Sequence, residues 1–288
     1  MIYLVLSILF SSGLFVIFKY FGIYKIEVLK AIFINYIVAF ILGFLFAERS
    51  INVTSIPNQP WFLGAVFLGA LFVSIFFVMA MTSQKNGVSV ASVAGKMSVV
   101  IPVLFGVILY QESVTFLKVI GIIIALIAVY LASSKEEKST HKNVSLLFPI
   151  LLFFGSGAID TTLKFVEVNY VPKEDVSIFS GILFGIAAFF AFIILSVQYL
   201  KKRKPFGVKN IIAGIILGVP NYFSIIFLIK ALQTKGFESS TLFTINNVGI
   251  VILSTLIGIV LFKEQFSTKN KMGVVLAILG IVIVTFAT

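Results

Sequence analysis

Two stretches, Gly106-Val-Ile-Leu-Tyr-Gln-Glu112 and Gly258-Ile-Val-Leu-Phe-Lys-Glu264, carry one pattern written twice, 152 positions apart. At the same offset Leu109 matches Leu261, Gly121 matches Gly273 and Ala125 matches Ala277. A second series, offset by 149, pairs Gly69 with Gly218, Gln84 with Gln233 and Gly87 with Gly236, so the later copy carries a three-residue insertion between the two series. A weaker echo joins Phe10-Ser-Ser-Gly13 to Phe154-Gly-Ser-Gly157, each followed by a lysine, Lys19 and Lys164. Collinear matches at a nearly constant offset are what an internal duplication leaves. They divide the chain into two homologous halves, about 1–140 and 141–288.

The composition sets the solvent of this fold. Of the 288 residues 60% are hydrophobic and only 11% charged, with a mean hydropathy of +1.14, and long apolar stretches follow one another with short polar breaks. That is a membrane protein, since a soluble core of this size needs a charged surface. The first stretch, 1–22, lacks a basic leader and a small-residue cleavage site and reads as a retained helix. Cys is absent, and the single His, His141, sits in the Lys/Glu-rich linker 133–143. Disulfides and thiolate metal sites are excluded, a histidine metal centre is implausible, and no cofactor is expected. The formal charge of +11 calls for a topology argument before it suggests nucleic acid, and no nucleic-acid partner is expected.

Crossing about 30 Å of hydrocarbon at 1.5 Å per residue takes roughly 20 residues. Ten runs qualify, near 2–22, 28–47, 61–82, 88–110, 116–133, 145–166, 176–199, 208–231, 238–262 and 270–287. One alternating set of loops and helix ends holds 14 basic residues, from Lys25 to Lys271, and the other only Arg49, Lys118, Lys173 and Lys235. The richer set is expected to be cytoplasmic, which puts both termini outside the cell membrane. With five spans per half, the second half enters in the opposite sense to the first. The predicted fold class is therefore an all-α membrane protein of ten transmembrane helices in two inverted five-helix repeats.

Inverted repeats place a substrate site near the midplane, where the halves meet, so the search is for polar residues at depth. Lys96, in Val90-Ala-Ser-Val-Ala-Gly-Lys-Met-Ser98, lies near the centre of the fourth span beside small residues. A charge there costs at least ~2.5–3.5 kcal/mol and needs a cavity or a partner; it is read as a substrate or counter-ion contact, with a structural ion pair as the alternative. Asn246 and Asn247 occupy the corresponding depth in the second half. Adjacent helical residues point about 100° apart, so one amide meets a ligand while the other ties helices together. Pro220-Asn221-Tyr222 breaks the ladder of the eighth span and supplies an amide and a hydroxyl, and Asn35-Tyr36 in the second span is a further candidate. Asp160 and Lys164, four apart, form either a neutralised structural pair or a proton- or ion-coupling couple. The fifth and tenth spans, nearly free of polar residues, read as packing helices. Glu112 and Glu264 are expected to cap the helices that follow them or to pair with nearby lysines.

The Gly…Glu…Gly pattern of both copies, 106–121 and 258–273, resembles the repeat signature of the drug/metabolite transporter superfamily, EamA type. The resemblance covers essentially the whole chain. It implies alternating access through a central cavity lined by the first four helices of each half, and carriage of amino acids, nucleotide-related compounds, sugars, phosphorylated metabolites, choline-like cations or drugs. Unlike the related small multidrug transporters, the first span has no embedded Glu. No nucleotide-binding loop, metal motif or catalytic triad appears, so no enzyme is expected. The expectation is a secondary transporter, monomer or homodimer, moving a small polar metabolite, an anion facing Lys96 or an amino acid. The alternatives are a lipid flippase or scramblase, a drug exporter, and a channel.

Overall fold

A segment that must satisfy its own backbone in lipid becomes a helix, and each apolar run of the sequence contains helix among the described residues. The computed structural model describes residues 2–47, 53–102, 104–105, 116–133, 146–202, 206–232, 239–264 and 267–286. The helices are α1 (Ile2–Ile23), α2 (Val28–Leu45), α3 (Phe62–Lys85), α4 (Val88–Met97), α5 (Phe116–Ser133), α6 (Leu147–Tyr170), α7 (Val176–Lys202), α8 (Val208–Leu232), α9 (Ser239–Phe262) and α10 (Thr268–Phe286), with short 3-10 turns at Val53–Asn58 and Lys173–Asp175. No strand occurs among the described residues. Six helices are long and apolar enough to cross a membrane, namely α1, α2, α3, α7, α8 and α9. Shorter apolar helices cover Val88–Pro102, Val119–Ala132 and Leu147–Leu163.

The fourth run, expected over 88–110 with a proline kink at Pro102, is interrupted just ahead of that proline. α4 ends at Met97, Ser98 and Val99 make a turn, and helix resumes at Val100. Pro102 has no N–H to give the Ser98 carbonyl, and its ring crowds that carbonyl. Ser98 turns inward instead, its hydroxyl donating to the Gly95 carbonyl at 2.6 Å.

The chain forms two compact units. Unit 1 comprises Met1–Tyr20, Val78–Ala158 and Ser224–Thr288, and unit 2 comprises Phe21–Phe77 and Ile159–Phe223. Each draws on both stretches, 1–140 and 141–288. In unit 1, α5 and α10 lie against each other, as expected of packing helices. The backbone of Ala132 fills the space a side chain on Gly273 would need, and the Asn270 amide donates to the Leu131 and Ala132 carbonyls at 3.2 and 2.8 Å.

Unit 2 is held by close approach at small residues. The Gly43 and Gly181 backbones of α2 and α7 touch. On the other side of α2, Gly214 and Gly218 of α8 rest against the backbone carbonyls of Ala31 and Asn35, 2.7 and 2.9 Å from where a Cβ would stand. Where lipid removes the hydrophobic drive between helices, such contacts supply the packing. Around them Trp61, Tyr36, Phe179, Phe184, Phe72 and Phe76 fill the core.

Candidate functional site

The close contact of α2 with α8 brings two Asn-Tyr dipeptides, Asn35-Tyr36 and Asn221-Tyr222, into unit 2. Because Gly218 admits the Asn35 backbone, the Asn221 amide reaches the Asn35 side-chain oxygen and donates to it at 3.1 Å. Both side chains are buried. Pro220, inside α8, removes the N–H that would have bonded the Ile216 carbonyl.

This amide pair is not saturated. Asn35 Nδ2, the Tyr36 hydroxyl and the Tyr222 hydroxyl are all buried without a hydrogen-bond partner. Leaving a buried polar group unpaired costs roughly 1–3 kcal/mol, so each of the three atoms has unused capacity for a ligand oxygen or a water. Aromatic faces bound the same side chains. Tyr36 stacks on Phe184 at 6.0 Å and lies 5.6 Å from Phe76; Phe72 meets Phe184 edge-on; Tyr222 stacks on Phe46 at 5.9 Å. The hydroxyl, amide and ring groups are all neutral. The buried cation of α2, Lys30, is occupied by Glu27 at 3.1 Å.

The remaining sequence candidates divide between the units. Asp160 is exposed on α6 in unit 2, and the Lys164 side chain lies outside the described residues. Lys96, Asn246 and Asn247 belong to unit 1, on α4 and α9, which pack together. Lys96 is half-buried on the last turn of α4. There the negative end of the helix dipole favours a cation. A Cβ on neighbouring Gly95 would meet only Phe15 at 3.7 Å and Ser156 at 4.0 Å. Of the two amides, Asn246 is held inside, its Oδ1 unpartnered, and Asn247 is half-buried. Also in unit 1, a crevice of ≈ 150 Å³ between α5 and α6 is lined by Leu126, Val129, Tyr130, Leu146, Ile150, Phe153 and Phe154. With the Tyr130 hydroxyl its one polar side-chain group, it is suited to a hydrocarbon chain rather than to a polar metabolite.

One expectation changes. Glu112 lies outside the described residues, but Glu264 does not cap the helix that follows it. α10 has its own capping box, in which the Ser267 hydroxyl accepts from the Asn270 N–H at 3.1 Å and the Ser267 N–H donates to the Asn270 side chain at 3.2 Å. Glu264 caps α4 instead, accepting from the Val88 N–H at 2.7 Å. The expected lysine contact is present, with Lys19 at 3.6 Å.

Residues 1–134 match the model of the EamA-like transporter family. The match places those residues in the transporter family. The apolar helices make the chain a multi-pass membrane protein. An uncharacterized protein of Haemophilus influenzae is 28% identical over 96% of this chain and 95% of its own length. The EamA-like chain is also similar to a probable glucose uptake protein, GlcU, of Priestia megaterium, 28% identical over 78% of this chain and 79% of the relative. Its counterpart in Bacillus cereus is 25% identical over 72% and 73%. A crystal structure at 16% identity covers 99% of this chain and 96% of its own with a TM-score of 0.60, a likeness of fold.

Proposed function

We propose that this protein is a secondary active transporter that takes up a neutral, polyhydroxylated metabolite of the sugar class by alternating access between two inverted five-helix repeats. The observation that carries the substrate class is the neutral cluster in unit 2. Amide and hydroxyl groups with unused hydrogen-bonding capacity, set among aromatic faces, match a ligand with many hydroxyls and apolar C–H faces. The names of the GlcU relatives support uptake and the same class. An anion would have to enter that cluster with no free cation among its side chains, at a desolvation cost that neutral donors do not offset. The ten α-helices among the described residues are compatible with that repeat architecture.

The test is uptake of radiolabelled hexose, and separately of a carboxylate or phosphate-bearing metabolite, by proteoliposomes holding the purified chain or its Lys96→Gln variant. Saturable hexose uptake that changes less than about threefold in Lys96→Gln is expected, because a group outside the site leaves transition-state binding intact. Uptake of the anion alone, lost in Lys96→Gln, would move the substrate to unit 1 and refute the neutral reading.

A further inference from the structure

Glu264 joins three segments that are far apart in the chain. It follows α9 where Lys263 adopts the left-handed conformation, φ 51°, and its N–H returns to the Gly258 carbonyl at 3.1 Å. Its Oε1 accepts from the Val88 N–H at 2.7 Å; its Oε2 accepts from the Ser89 N–H at 3.4 Å and the Ser89 hydroxyl at 3.2 Å. Lys19, near the end of α1, stands 3.6 Å from Oε1. Room for the carboxylate is made by two glycines. A Cβ on Gly87 would lie 2.8 Å from Oε1 and one on Gly258 2.6 Å from Oε2, and Gly87 also holds φ +110°, which suits glycine.

A helix is ordinarily capped by the residue at its own start, and such a cap travels with it. Here the capping position is Gly87, which has no side chain, and the cap comes from 176 residues away. A borrowed cap is lost when the segments part. The parting is reversible, because the Glu264 and Lys19 side chains keep 12% and 22% exposure and water can replace the broken bonds. α4 carries Lys96, eight residues on, or about 12 Å along the axis.

We propose that Glu264 is a gating latch. It clamps the start of α4 and the end of α1 to the end of α9, and this end of the carrier opens only when the carboxylate lets go. The proposal rests on the alternating-access reading above, and on the basic-residue count for the latch facing the cytoplasm.

The chain has no cysteine, so single-cysteine reporters can be placed directly. Ser92→Cys reports on buried α4 and Ala191→Cys on the buried face of α7. Each is combined with Glu264→Gln, Lys19→Gln or Gly258→Ala, and labelled in inside-out membrane vesicles with a membrane-impermeant maleimide. All three perturbations are expected to speed labelling at Ser92→Cys by about tenfold, the scale of a charge-assisted cluster, and to leave Ala191→Cys unchanged. Unchanged labelling at Ser92→Cys, or equal acceleration at both reporters, would overturn the latch, the latter marking general loosening. Lys19→Gln and Gly258→Ala keep the carboxylate and serve if Glu264→Gln fails to fold. The readout needs no substrate, so absent hexose uptake with responsive labelling removes the sugar-substrate reading and keeps the latch, whereas intact uptake with unresponsive labelling does the reverse.

Discussion

The two units differ in where their most conspicuous polar groups sit, although unit 1 also buries unpartnered neutral groups such as Asn246 and Thr255. Unit 1 has charges at helix ends, where Glu264 meets Lys19 and the Val88 and Ser89 N–H groups and Lys96 lies in the last turn of α4. Unit 2 buries neutral groups in mid-helix, where Asn35 and Asn221 bond each other and Asn35 Nδ2 and the Tyr36 and Tyr222 hydroxyls have no hydrogen-bond partner. Charges at helix ends can exchange partners with water at little cost, and suit a part that opens and closes. Neutral donors sealed between aromatic rings cannot, and suit a part that waits for a ligand. In this reading, conformational control and recognition use different chemistry in different residues.

The sharpest way to break that contrast is Asn221→Leu. It keeps the volume of the site but strands the Asn35 amide, and hexose uptake efficiency is expected to fall on the order of 100-fold in a site built on hydrogen bonds. A small change in transport kinetics would place recognition elsewhere. Next in size is Gly218→Val, which puts a side chain where the Asn35 carbonyl stands. A loss of about 1–3 kcal/mol is expected from overpacking, read as a lowered Tm in detergent, and wild-type stability would show that α2 and α8 do not depend on close approach. The smallest is Ser267→Ala, which removes the α10 cap for about 1 kcal/mol; in the labelling assay it should leave Ser92→Cys unmoved, because α4 takes its cap from Glu264 rather than from this box.

Much of this was legible in the sequence because lipid leaves a segment few options. An apolar run of 20 residues bounded by polar breaks has to be helical, and the run at 116–133 is helical throughout as α5. Asn35, Asn221 and Tyr222 stood out individually as amides and a hydroxyl inside such runs. Their meeting did not, because the bond joins positions 186 apart and depends on Gly218 having no side chain at the crossing. The interruption after Met97 is the kink that Pro102 implies, displaced toward Ser98 because a proline's effect falls on the carbonyl four residues earlier. The target of Glu264 was missed because the local cue misleads. A carboxylate just before a helix normally serves that helix, and only the Ser267–Asn270 box next to it, together with the empty position at Gly87, redirects it to α4.

The Gly258 hollow also bears on how this sequence can drift. A methyl group there would collide with the very carboxylate that the chain delivers six positions later, so neither residue has a use without its mate. Lineages that abandon one should abandon the other, and an ancestor holding half of the pair would have carried either an idle acid or an idle gap.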